Sequence, residues 1–260
     1  MMRGFTFRLI VLMVMLGSSV RGEDAAQKPY LLHLNGIGGK RWCDLALLRG
    51  LTAGGLDATM EIYDWTGDDV GINALTKTAL HEAESAKVAR MLAEKIQSHP
   101  SRRIILTGHS GGCGIAVWAL ERLPAGMQVQ TLVMFAPALS PEYDLSQALR
   151  HVRGKAYVFS SPLDVIVLDS GTKMFGTIDG PRVAAAGLNG FVRPTGADAE
   201  QYGKLVAQPY RRQWLEQYGN AGQHISCMGA VFVRDYVAPL LLDSIAEGAS
   251  RPATRPAVLP

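Results

Sequence analysis

Ser110 lies in the run Gly108-His109-Ser110-Gly111-Gly112, directly after the apolar segment Arg103 to Thr107 and directly before a helical pattern. A serine on a sharp strand-to-helix turn becomes a nucleophile for acyl transfer once a base takes its proton. Glycines two residues before and after it let strand and helix approach. The pentapeptide alone is a weak signal, and a plain helix N-cap is the lesser alternative, which explains the serine but not the flanking glycines. A second glycine-rich turn reads His33-Leu34-Asn35-Gly36-Ile37-Gly38-Gly39. The amide of Ile37, or failing that Gly36, can meet the amide of Gly111 in an oxyanion hole, each donor contributing on the order of 3 kcal/mol to a transition state. A phosphate-binding turn is the competing reading, but the Gly-x-Gly-x-x-Gly spacing of dinucleotide sites is absent.

Such turns need strands that end together and helices that start beside them. Short apolar runs alternate with helical patterns from Tyr30 onward, which is the signature of βαβ units and a parallel sheet. Strands are expected near Tyr30 to Leu34, Thr59 to Tyr63, Arg103 to Thr107, Val129 to Phe135, Lys155 to Ser160 and Lys204 to Tyr210. They lack strict polar alternation, as strands covered on both faces do. Val88, Leu92 and Ile96 put an apolar stripe on a helix from about Leu80 to Ser98, which Pro100 follows. A second helix should run from Gly111 through Ile115, Ala119 and Leu120 to Leu123, where Pro124 stops it. Val231, Phe232, Tyr236, Leu240 and Leu241 mark a last helix. Residues 165 to 203 show no comparable periodicity and read as a long loop or an embedded cap. The fold class is therefore α/β, with a mostly parallel central sheet of about six strands and helices on both faces.

With these motifs in these places the chain, from Tyr30 to about Glu247, resembles the α/β-hydrolase superfamily, in particular its small lipases, esterases and cutinase-like members. The resemblance implies a serine, acid, histidine order, with the acid on the loop after the next-but-one strand. Asp164, in Ser161-Pro162-Leu163-Asp164-Val165, stands at that place; Asp169, Asp179, Glu142 and Asp144 are the alternatives. Of six histidines, His224 in Gly222-Gln223-His224-Ile225-Ser226 combines a glycine-rich loop with the right order. His109 adjoins the nucleophile, but its side chain is expected to point away from the position of the general base. The implied chemistry is attack by Ser110 on an acyl carbon, His224 taking the proton, Asp164 orienting His224, and water releasing the acyl-enzyme. The expected substrate is a small-molecule or lipid ester, with no metal or organic cofactor. An acyltransferase or an amidase would use the same residues, and a secreted binding protein could keep the fold without catalysis. Two departures from the family pattern are Asn35, where many members have histidine, and the lack of room for early antiparallel strands before Tyr30.

The composition sets the remaining bounds. Arg3 and Arg8 precede the apolar run Leu9 to Leu16, and Val20-Arg21-Gly22 resembles a cleavage site, so residues 1–22 read as a signal peptide and the chain as exported, periplasmic or secreted. The run is too short to span a bilayer. The signal segment holds three arginines and no acid, so of the 26 basic and 23 acidic residues the remainder balances 23 against 23. No Lys/Arg-dense stretch suggests a nucleic-acid partner. Residues 23–247 read as one α/β-hydrolase domain, and the proline-containing stretch 248–260 reads as a disordered tail. The 3 cysteines allow at most one intrachain disulfide. A Cys113–Cys227 bridge is one reading, since each lies three residues beyond a candidate catalytic residue; buried free thiols are the other.

Overall fold

The computed structural model describes residues 27–250. Six parallel strands form one sheet in the order β2-β1-β3-β4-β5-β6: β1 Tyr30–Leu34, β2 Thr59–Tyr63, β3 Ile104–His109, β4 Thr131–Phe135, β5 Ala156–Ser160 and β6 Leu205–Pro209. Parallel neighbours need a crossover on one face or the other, and here helices cover both. Alternate strand residues therefore enter different cores. Leu32, Leu34, Ile104, Leu106, Leu132 and Met134 pack with Val88 and Leu92 of helix α3 (Thr78–Ser98) and with Ile115 and Leu120 of helix α4 (Gly111–Glu121). Leu31, Ile105, Val133, Phe135 and Phe159 pack on the other face with Leu47 and Leu51 of helix α1 (Trp42–Ala53) and with Phe232, Val237 and Leu241. Each fully buried leucine contributes roughly 2 kcal/mol of transfer free energy. That explains why these strands carry no polar alternation.

The strand order places the site. From β1 the chain winds to β2 on one side, then crosses back to β3 and continues outward through β4, β5 and β6. Loops leaving the ends of β1 and β3 thus diverge to opposite sides, and the crevice between them is the topological switch point where ligands of open α/β sheets bind. The register sets Leu34 beside Gly108, so the two glycine-rich turns leave the sheet side by side.

Several boundaries differ from expectation. β3 runs on to His109, while Val129 makes only an isolated bridge to Val152 before β4 begins. Helix α1 has no counterpart in the sequence reading, although Cys43, Leu47 and Leu51 have helical spacing and are buried. Residues 165–203 are neither an irregular loop nor a separate cap. They fold into short helical turns, and Leu168, Ala185 and Leu188 pack with Ala136 and Ala138 as a third small core. The last helix is interrupted by a π-helical turn at Val233–Val237 and continues as Ala238–Ser250, so the expected start of the tail at residue 248 falls within it. The expected signal segment 1–22 and residues 251–260 lie outside the described residues.

Candidate active site

Ser110 stands between β3 and α4 with φ 53° and ψ −120°, a conformation that non-glycine residues rarely adopt. It is held there from both sides: its amide donates to Phe135 O at 2.9 Å, and its carbonyl accepts from Ala138 N at 3.2 Å and Cys113 N at 3.1 Å. The residue occupies the N-cap position, yet its hydroxyl makes no capping hydrogen bond. The plain-cap reading therefore fails, because the side chain that would satisfy the helix points elsewhere. The flanking glycines are steric necessities. A Cβ on Gly112 would lie 2.4 Å from the carbonyl oxygens of Leu34 and Asn35, and one on Gly108 would lie 2.8 Å from Cys113 N.

The β1 turn reaches the same point. A Cβ on Gly36 would sit 3.3 Å from Ser110 Cβ, and one on Gly111 would sit 2.7 Å from Ile37 Cγ2. Gly111 opens α4, where first-turn amides lack intrahelical acceptors, and the Ile37 amide is likewise unpaired among the described residues. A network fixes this turn. Asn35 Nδ2 donates to Gly36 O at 2.8 Å and to Asp64 Oδ1 at 3.2 Å, while Asp64 Oδ2 accepts from Lys40 N at 3.0 Å. Burial opposes ionisation of Asp64, but hydrogen bonds from Thr66, Lys40 and Asn35 outweigh it and hold its carboxyl below the usual range.

Asp164 and His224 come together across the ends of β5 and β6. Asp164 closes a turn with its amide on Ser161 O at 3.1 Å and is buried. Gly222, at φ 72°, lets the histidine loop pass this turn, since a Cβ there would lie 2.8 Å from Ser161 Oγ. His224 Nδ1 lies 2.6 Å from Asp164 Oδ2. A carboxylate only accepts, so Nδ1 carries the proton and Nε2 is left as the basic nitrogen. Ser110, His224, Gly36 and Ile37 line one cleft of about 270 Å³. The Ser110 hydroxyl makes no direct hydrogen bond to His224, a looseness common before substrate closes the site. The alternative acids are engaged elsewhere: Asp169 pairs with Lys173 at 2.5 Å, Asp179 accepts from Ser140 N at 2.8 Å, and Asp144 accepts from Tyr202 at 2.9 Å. Glu142 lies on the surface. All three cysteines are free thiols, so the Cys113–Cys227 bridge does not form; burial pushes Cys113 well up and Cys227 up to about 12.

Ser110 thus follows β3, Asp164 β5 and His224 β6, around a strained turn facing a glycine-rich one. This is the order that the resemblance to α/β-hydrolases implies. Solved structures resemble the chain in fold. A predicted CIB-like hydrolase from Thermoplasma acidophilum is 13% identical, with 85% of this chain and 88% of that one covered at a TM-score of 0.44. A cutinase-like protein from Cryptococcus sp. is 14% identical, with 85% and 97% covered at 0.43. The esterase domain of a Rhodothermus marinus protein is 16% identical, with 84% and 88% covered at 0.44. No protein-family model matches the sequence, and no curated protein matches it significantly.

Three polar residues at the site escaped the sequence reading. Asp64 holds the β1 turn. His33 and Asp44 form a buried pair at 2.9 Å beneath it, with His33 Nδ1 2.8 Å from Thr107 Oγ1 and Asp44 Oδ2 accepting the Arg41 amide at 2.6 Å. Nothing in their spacing marks them, since they lie on separate elements. His109 was expected to point away from the base. Instead its ring lies 4.8 Å from that of His224, and its Nε2 is 3.1 Å from His224 O. A carbonyl only accepts, so Nε2–H donates. Burial, and then the neighbouring His224, push its pKa down to about 3.

Two consequences follow for His109. Removing the brace in His109→Ala is expected to lower turnover about 10- to 100-fold by letting His224 drift, while His109→Gln, whose amide can donate to the same carbonyl, should recover most of it. Between the ordinary imidazole value of about 6.5 and about 3, the unfolded chain binds a proton that folded His109 refuses. Its contribution is thus present above pH ~6.5 and is lost as pH falls below it. Urea titrations at stepped pH should show a shallower acid loss in His109→Gln than in the parent.

Proposed function

We propose that the chain is an exported serine hydrolase that cleaves carboxylic esters through an acyl-enzyme. The observation that carries this is a serine held at φ 53° with its hydroxyl unspent, in one cleft with a histidine bonded to a buried aspartate. Ser110 attacks the acyl carbon, His224 Nε2 takes the proton, and Asp164 stabilises the imidazolium that forms. The amides of Ile37 and Gly111 receive the oxyanion. His224 then protonates the leaving alcohol and activates the water that frees the acid. Val167 and Ile225 line the cleft and are exposed, and Ile166 beside them is 83% exposed, which favours substrates with apolar substituents. Hydrolysis of p-nitrophenyl esters by residues 23–260, lost in His224→Ala, supports the reading; a folded protein inert toward every ester and amide tested removes it. Export rests on the residue 1–22 pattern, and secreted protein beginning elsewhere than near Glu23 removes that part.

A further inference from the structure

A second cavity, of about 510 Å³, lies next to the catalytic cleft. Neighbouring stretches of chain line the two. The helix α2 (Ile72–Thr76) is preceded by Gly71, which lines the cleft, and its Leu75 and Thr76 line the cavity. On the facing side Val167 lines the cleft and Phe175 the cavity. Helix α4 begins beside Ser110 and reaches the second cavity at Trp118. Gly111, Gly114, Trp118 and Arg122 recur at three, four and four residues and so lie on one face of α4. That face runs from the oxyanion amide to Trp118, seven residues and roughly 10 Å along the axis.

Ile178 stands between the two spaces, together with Ile37 and Trp65, whose Cγ2 and Cζ2 would lie 2.7 Å and 3.3 Å from a Cβ on Gly111. Ile178 Cδ1 would be 3.3 Å from a Cβ on Gly111, and its Cγ2 2.7 Å from a Cβ on Gly114, so it lies on the first turn of α4 while lining the cavity. It is fixed rather than mobile. Its amide donates to Ala138 O at 2.9 Å, Gly180 N closes the turn onto Thr177 O at 2.9 Å, and Asp179 is clamped by Ser140.

Stereochemistry tells which part of a substrate meets Ile178. In the tetrahedral intermediate the leaving oxygen must face His224 and the oxyanion must face the Ile37 and Gly111 amides. The acyl substituent takes a remaining direction, away from both, and Ile178 borders the first turn of α4 from which such a direction leaves. We infer that the cavity beyond Ile178 is an acyl-chain subsite over Trp118 and Phe175, and that Ile178 closes it, making the protein selective for short acyl groups.

This rests on the ester-hydrolase reading, and the test separates the two. Hydrolysis of p-nitrophenyl butanoate and octanoate is compared for the parent, Ile178→Ala, and Ile178→Ala with Thr78→Trp, which fills the exposed cavity wall. The octanoate-to-butanoate ratio of kcat/KM should rise about 10-fold or more in Ile178→Ala and fall back in the double variant. Butanoate turnover retained in Ile178→Ala shows that it folds, and an unchanged ratio there overturns the subsite alone. Should Ile178→Ala not fold, Ile178→Val carries the same expectation with a smaller rise. No turnover of either ester by the parent overturns the hydrolase reading and the subsite with it.

Discussion

Replacing Ser110 by alanine should lower ester turnover by at least about 10⁴-fold, because among the described residues no other hydroxyl lines the cleft and residues of such a unit act together. Folding should survive, since the oxygen removed makes no capping hydrogen bond. Ser110→Gly sharpens the point. It is equally inactive by expectation, but glycine adopts φ 53° without strain, so unfolding free energy should rise by about 1 kcal/mol. A strained residue kept at a cost in stability is what a functional elbow requires. Equal activity in Ser110→Ala, or a stability loss in Ser110→Gly, contradicts this account.

Asp164→Asn is the second large effect. The carboxylate now accepts the Nδ1 proton at 2.6 Å. An amide can instead offer its N–H to Nδ1, which moves the imidazole proton to Nε2 and leaves no lone pair for the serine. The site keeps its shape and loses its base, with an expected fall of roughly 10⁴-fold in kcat. The same substitution at Asp169, which is paired with Lys173 outside the cleft, should leave kcat within about 2-fold, as surface changes away from special features do. A larger effect at position 169 than at 164 would reassign the acid.

Much of the frame was legible because it is local. Apolar runs bounded by turn residues marked all six strands, and the glycines around Ser110 and at 36, 38 and 39 marked the two turns whose backbones must approach. The Asp164–His224 pairing was legible only through family order, since the two residues are 60 positions apart. What stayed hidden depends on tertiary approach. His109 has no sequence feature that distinguishes a ring packed against His224 from one turned away, and its brace goes to a backbone carbonyl 115 residues on. Asp64 and the His33–Asp44 pair hold turns from neighbouring elements, and a polar residue next to an apolar strand reads as surface until the fold buries it. Residues 165–203 misled for the opposite reason. Their short helices take stability from packing against Ala136 and Ala138 and leave no periodicity of their own.

The central claim is that Ser110 is activated by His224, and the most direct test is covalent. A fluorophosphonate probe should add one adduct per folded chain, located on Ser110 by peptide mass mapping, absent in Ser110→Ala and strongly slowed in Asp164→Asn. Folded protein that takes no label, or takes it at another residue, would contradict the account.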